Sequence, residues 1–583
     1  YQTAHQLLTQ RGGWPLTMFL DPGDQRPFFG GTYFPNEARY GMPAFRDLLQ
    51  SVSKYYSEQR DEQRAQNERL VVVMAQLNPQ PAAADAALDA APLAAAREHF
   101  AQIVDGDYGG FGSAPKFPHP TTIDFLLRHW RATANDAEPD VDALYMATLT
   151  LARMADGGLY DHLGGGFCRY SVDRYWQIPH FEKMLYDNGP LLALYAQAFL
   201  ATGDERFADV AGETADWMQD DMLAGNGGFF STRDADSEGE EGKYYVWTPE
   251  QVQALIDADT WPLFAARYGL DQPANFEGHW HLSVRRSIED IAKDHGKKAS
   301  EVSAMIDAAR RTLLAERATR VPPGRDEKQL TSWNALAIRG FAIAGQALER
   351  SELVDAAAAA VDFIESTLYV DGRLLAVYKD GRARFPAYLD DYAFLLDAIL
   401  ELLQARWSSD HLQFAIALAD TLLEQFEDRT DGGFWFTASD HEALMHRPKP
   451  LADESVPSGN GIAAYALQRL GFVLGESRYL VAAERTQRAA WQAISEYPHG
   501  HVSLLAALEE YLEHPEVVIV RGGDEARRWR DANARLYSPR RLLFAIPTDA
   551  GDLPGALAER AAREGETVIY RCIGTQCDLP LTL

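Results

Sequence analysis

Cysteine is nearly absent. Cys168, Cys572 and Cys577 are the only three among 583 residues. That is too few for a disulfide framework and fits a reducing compartment, so the expected location is cytoplasmic. No Cys-x-x-Cys occurs, and thiol–disulfide chemistry of the thioredoxin kind is assigned to no residue. Cys572 and Cys577 lie five apart, with no further Cys or His pair nearby to complete a zinc site. Net positive charge is lacking too. Fifty-five Lys and Arg against 85 Asp and Glu leave −30, a field that repels nucleic acid and anionic membranes. No apolar run reaches the roughly 18 residues that span a bilayer. There is no Walker A loop and no strand–GxGxxG–helix unit; Gly164-Gly165-Gly166 is a turn. Asp234 to Gly239 begins like a calcium loop, but Tyr245 stands where the bidentate Glu is required. His441 and His446 are one residue too far apart for the helical zinc-protease motif. No metal or cofactor is expected.

What is present is an ordinary globular composition, 46% hydrophobic and 24% charged, in several distinct stretches. Residues 12–35 contain two short strand runs around the turn Asp21-Pro-Gly-Asp24 and end on Gly30-Gly31. They predict a hairpin, and helical spacing follows from Ala44 to about Ala75. Pro, strand, hairpin, Gly-Gly, helix is the order of the second half of a thioredoxin fold, with Trp14-Pro15 at the cis-proline position. A plain hairpin on a helix is the alternative. Residues 79–96 are Ala- and Pro-rich and predict a linker.

From there the chain repeats. Helices are expected at about 91–105, 121–132, 141–155, 184–202, 205–222, 332–349, 352–368, 389–406, 409–427, 458–474, 477–495 and 500–512. Alternate connections carry one signature, at Gly109-Gly110-Phe111, Gly165-Gly166-Phe167, Gly227-Gly228-Phe229 and Gly432-Gly433-Phe434. A dozen helices with a recurring loop predict an (α/α)6 toroid over 97–513, with the less polar helices inside and an insertion at about 228–330. Strand runs near 517–520, 542–546 and 567–570 predict a small α/β appendage over 514–583.

In such a toroid the loops before the inner helices meet at one mouth. His119, Trp176, His180, Glu182, Tyr186, Asp187, Asp326, Trp333, Asn334, Asp390, Asp391, Tyr392, Asn460, His499 and His501 stand before or at those helix starts. Helix caps account for some of them, as Ser458, Asp390 and Thr331 illustrate. Pro179-His180-Phe181-Glu182 goes beyond a cap, because a His–carboxylate pair in a cavity is an acid/base device. Aromatic rings beside carboxylates and Asn form a sugar-binding composition.

The blocks GGWPLTMFL, GGFCRYSVDRYWQIPHFEKMLYDN, DADSEGEEGKYYVW, DEKQLTSWNALAIRGFA, AYLDDYAFL and PSGNG resemble the thioredoxin-domain family that includes spermatogenesis-associated protein 20. The resemblance covers nearly the whole chain. It implies a thioredoxin-like domain, partial here over residues 1–78, followed by a barrel similar to N-acylglucosamine 2-epimerase and six-hairpin glycosidases. It also implies a Cys-His-Trp-Cys-type motif that this chain lacks.

The expected function is therefore acid/base chemistry, such as epimerisation, on a small carbohydrate-type ligand. His180, Glu182, Asp390, Asp391 and His499 are the catalytic candidates. Trp176, Tyr186, Asp187, Asp326, Trp333, Asn334, Tyr392 and Asn460 are the substrate-binding candidates. The alternatives are a glycoside hydrolase, or a non-catalytic scaffold presenting clients to the thioredoxin-like domain.

Overall fold

The structure, a computed structural model, describes residues 1–39, 41–83, 86–442 and 444–583. Ala84 and Asp85 of the expected linker and Ala443 of the His441–His446 run lie outside the described residues.

Twelve helices build the body: α1 (Ala91–Ile103), α2 (Pro120–Thr133), α3 (Val141–Asp156), α4 (Leu185–Thr202), α5 (Glu205–Trp217), α6 (Thr331–Ala347), α7 (Ser351–Phe363), α8 (Leu389–Ala405), α9 (Ser409–Thr421), α10 (Gly459–Leu474), α11 (Ser477–Glu496) and α12 (Val502–Leu512). The even-numbered helices pack side by side in the order α2, α4, α6, α8, α10, α12, and α12 returns to α2. The odd-numbered helices form the outer ring, and α1, the first of the twelve, packs on α12, the last of them. This is an (α/α)6 toroid, as the repeated pattern predicts. The middle inner helices are apolar nearly all round because they are covered on both sides: α8 buries 15 of its 17 residues. Helices α5, α7 and α9 end in a wider π turn at Met218–Met222, Ile364–Leu368 and Leu422–Phe426.

The Gly-Gly-Phe loops carry a second layer of pattern. Asp105, Asp161 and Asp428 each stand four residues before the first glycine, and each pairs with a buried lysine: Lys116 at 2.8 Å, Lys183 at 2.9 Å and Lys449 at 2.5 Å. The same ammonium groups donate to the carbonyls of Gly109, Gly165 and Gly432. Both glycines in these three loops have positive φ, a turn that side-chain-bearing residues adopt at a cost. The Gly227 loop has Leu223 at the Asp position and is held by Asn226 on Gln329 at 3.0 Å instead.

An asparagine then locks three of the loops to the next inner helix. The Asn188 amide accepts from Phe167 N–H at 2.7 Å and donates to Phe167 C=O at 3.0 Å, pairing with the loop as a neighbouring strand would. Asn334 does this to Phe229 and Asn460 to Phe434. Asn460→Ala would leave the buried Phe434 N–H and C=O without partners, costing about 1–3 kcal/mol. Urea denaturation should show that loss, and an unchanged midpoint would remove the clamp from this account.

Three smaller units flank the toroid. At the N-terminus, Thr17–Leu20 pairs antiparallel with Pro27–Gly31, and the Trp14-Pro15 peptide is cis, both as the sequence predicts. The single helix expected after it is two, Phe45–Glu58 and Arg60–Ala75, because Gln59 leaves helical geometry at φ −125°, ψ 41°. The insertion leaves after Arg233 and returns at Arg325, where Lys183–Met184, Thr232–Arg233 and Arg325–Asp326 form a small sheet. Its helices enclose a core of their own around Trp247, Phe264 and Ile306, and Leu163 of the toroid joins that core. In the appendage Glu516–Arg521 lies parallel to Arg541–Ile546 and antiparallel to Val568–Ile573, with helix Asp524–Ala534 as the crossover. Cys572 and Cys577 face each other across adjacent strands and are joined by a disulfide, which the sparse cysteine count did not foretell. No helix among the described residues is long and apolar enough to cross a membrane.

Candidate functional site

The helix-start loops converge on one mouth. An outer cleft of about 510 Å³ is lined by Phe117, His119, Arg169, Tyr186, Asp187, Asp453, Glu454, Tyr497 and His499, among others. An inner chamber of about 110 Å³ shares the walls at His119, Tyr186 and Glu454 and adds Asp124, Arg339, Asp397 and Tyr465. A third chamber of about 90 Å³ shares Asp124, Arg339 and Tyr465 with the second and is closed by residues 534–541 of the appendage. The chambers lie in series along the toroid. No residue of 228–330 lines the first two, so the insertion does not cover the cleft.

The floor is ionic. Glu510, fully buried, accepts from Arg128 at 2.9 Å and from Arg469 at 2.6 Å, and Arg469 also reaches the Pro539 carbonyl. Arg339 pairs with Asp397 at 2.9 Å.

The cleft wall carries the chemistry. Asp187, in the first turn of α4, is 5% exposed, and its Oδ2 has no hydrogen-bond partner. Burial pushes its carboxyl well above the usual carboxylate range; Arg169 opposes that shift and Glu182 adds to it. Burial likewise raises the Tyr186 phenol to about 12. Arg169 donates to the Tyr186 hydroxyl and to Glu182, each at 3.1 Å. Glu182 in turn lies 3.5 Å from His180 Nε2, and His180 Nδ1 meets Glu241 of the insertion at 2.7 Å. Those two carboxylates, Glu182 first, hold the His180 imidazole above its ordinary pKa. On the opposite approach His499 stacks on His99 at 3.5 Å and against Tyr497 at 3.9 Å. Burial first, then His99 and His501, lowers its pKa. Among the described residues no group of three or more His, Cys, Asp or Glu side chains is placed to hold a metal ion.

Residues 1–75 match the Thioredox_DsbH family model, described as "Protein of unknown function, DUF255". Spermatogenesis-associated protein 20 of Homo sapiens is 30% identical over 634 residues, covering 100% of this chain and 80% of that protein. The Mus musculus protein is 31% identical over 635 residues, covering 100% and 79%. The chain belongs to the spermatogenesis-associated protein 20 family. Among solved structures a D-mannose isomerase aligns with a TM-score of 0.47 and 12% identity, over 73% of this chain and 99% of that one. The cellobiose 2-epimerase of Bacillus thermoamylovorans aligns at 0.46 and 11%, over 72% and 99%.

In this member of the family three of the expected site residues line the cleft: Tyr186, Asp187 and His499. Trp333 supports Tyr186 edge-on at 4.8 Å. His180 and Glu182, expected as the catalytic dyad, stand behind Arg169 and do not line this cleft. Trp176 is fully buried and donates to the Tyr108 carbonyl. Asn334 and Asn460 are the loop clamps described above. Tyr392 is buried and donated to by the Leu374 amide. Asp326 pairs with Lys328 outside the cavity. Asp391 accepts from the Ser332 and Tyr388 amides and ties α6 to α8. His501 is turned onto the Tyr497 carbonyl. Arg169, Glu454, Asp124 and Arg339 line the chambers and were not singled out from the sequence.

Asp390 sits beside this wall. Its Oδ1 is buried without a partner, and a Cβ on Gly459 would come within 2.1 Å of it. Burial, with Asp391 and Glu454 adding repulsion, pushes its carboxyl up to about 7. The folded state therefore keeps a proton that the unfolded chain releases near pH 3.9. Stability from this group is present below pH 4 and is lost as pH rises to about 7. Asp390→Asn should remove that slope, gaining on the parent between pH 4 and pH 8 in denaturation curves. Parallel curves over that range would contradict the assignment.

Proposed function

We propose that the toroid mouth binds a small carbohydrate-type ligand and transfers protons on it, as in 2-epimerisation. The observation that carries this reading is Asp187, a buried carboxyl in the cleft wall with an unpartnered oxygen, whose protonated form burial favours. Such a group donates a proton or a hydrogen bond where a sugar hydroxyl or carbonyl is presented. His499, kept neutral near pH 7 by its lowered pKa, is the proton acceptor on the same cleft. Arg169 supplies a fixed cation for developing oxyanion charge, with Glu182 and His180 orienting it. Phe117, Tyr186 and Tyr497 offer ring faces to the apolar side of a sugar.

The test is proton exchange in D2O, followed by NMR across a panel of mono- and disaccharides. A substrate should take up deuterium at the carbon next to its carbonyl and should stabilise the protein, by about 2.7 kcal/mol at 100 times its Kd. Asp187→Asn should keep the binding and lose turnover by at least about a hundredfold. Shortened products would replace epimerisation by hydrolysis. A panel with neither binding nor exchange would replace both by a scaffold.

A further inference from the structure

The toroid chemistry leaves the two C-terminal cysteines without a role. Cys572 is buried at the centre of the appendage sheet, on the strand that pairs with Glu516–Arg521. Cys577 lies on the exposed strand that folds back against it. One side chain faces both sulfurs. Arg560 brings Nη2 to 3.0 Å from Cys577 Sγ and to 3.6 Å from Cys572 Sγ. Its side chain is only 15% exposed; among the described residues its carboxylate partner is Glu559, a solvent-facing group at 3.4 Å, and it lies 5.9 Å from the Tyr570 ring. A disulfide is neutral and gains little from a largely buried guanidinium. A thiolate gains much more, because a cation beside a thiol favours the thiolate and makes it a better leaving group.

We propose that Cys572 and Cys577 form a thiol–disulfide exchange site that accepts electrons from a dithiol partner, with Arg560 stabilising the sulfur that leaves. The incoming thiolate attacks the exposed Cys577 Sγ. The Cys572–Cys577 bond breaks as the mixed disulfide forms, and its electron pair departs on Cys572 Sγ beside Arg560. The partner's second thiolate then attacks its own sulfur in the mixed disulfide and expels Cys577 as thiolate, 3.0 Å from the same guanidinium in the starting geometry. The partner leaves as a disulfide, having lost two electrons, and the protein holds two thiols. The site needs no Cys-x-x-Cys, because strand pairing rather than a helix turn brings the sulfurs together.

The full-length chain reports on this directly. Cys168 is a silent control: it is 1% exposed, and burial pushes its thiol up to about 12. Under native conditions, limiting dithiothreitol should release two alkylatable thiols, both mapped to 572 and 577 by mass spectrometry. Arg560→Met should slow that release about tenfold and move the pH midpoint of iodoacetamide labelling upward, and Arg560→Lys should restore both. A pair that resists dithiothreitol while the protein remains folded would overturn the proposal. So would Arg560→Met reacting at the parental rate with an unmoved midpoint.

Discussion

Glu510→Ala should destabilise the protein by about 3–5 kcal/mol, the range for breaking a buried charge pair by removing one partner. Among the described residues its carboxylate is the anion that Arg128 and Arg469 share, beside the Tyr465 ring that both also touch, and all three charged side chains are nearly or wholly inaccessible. Removing it leaves two guanidiniums facing each other in the closed end of the toroid. Arg128 keeps Glu509 and Arg469 keeps Glu401, at 2.7 and 3.2 Å, which is why the loss stays within that range. Burial alone would raise the Glu510 carboxyl, but Arg469 and Arg128 outweigh it and hold the group below its ordinary pKa. Its contribution is therefore complete above the unfolded value of about 4.3 and fades as pH falls through the folded one. Urea denaturation at pH 7 and pH 4 measures both effects. A loss under 1 kcal/mol at pH 7 would mean that the remaining pairs carry the floor unaided.

The second large effect lies at the insertion. Asp161 accepts from both Nη atoms of Arg317 at 2.8 Å and from Lys183 Nζ at 2.9 Å, all buried. Burial opposes its charge, yet the two cations hold the carboxyl well below the usual range. Arg317 ends the last long helix of the insertion, Lys183 precedes α4, and Asp161 anchors a Gly-Gly-Phe loop. One carboxylate thus joins three segments. Asp161→Asn should cost about 3–5 kcal/mol, and the loss should appear first as hydrogen exchange and proteolysis within 234–324. Adding Arg317→Met to that variant should recover part of it by removing one stranded charge. If the insertion stays as protected as in the parent, Asp161 is not its latch.

The toroid was legible because its signals are local. Amphipathic spacing marks each helix, and Gly-Gly-Phe marks the turns, so the expected helices match those observed to within a few residues. The site was less legible, for a physical reason visible in Asn334 and Asn460. A polar residue in the first turn of an inner helix can face the cavity or grip the preceding loop, and both duties select the same residue type. The Asp four residues before three of the four Gly-Gly pairs, with a lysine following, was a sequence signal that could have assigned Asn460 to the loop, though not Asn334, whose loop carries Leu223 there. The surroundings of His180 were not legible because Glu241, its partner at 2.7 Å, lies 61 residues away in the insertion. Asp124, Arg339 and Asp397 stand inside helices rather than at their starts, where a search of the loops does not look.

The pairing of the first inner helix with the last has a consequence for synthesis. Arg128 on α2 meets Glu509 on α12 across 381 residues of sequence. At ordinary elongation rates the ribosome needs roughly 20–80 s to traverse that interval. Throughout it, the apolar flank of α2 is made but has no neighbour on one side. The nascent toroid is an open arc whose two free edges become complementary only when the final helix emerges. Chaperone demand during translation should therefore rise with the length of that arc and fall sharply on closure, and truncations ending before α12 should remain sticky however much of the chain they contain.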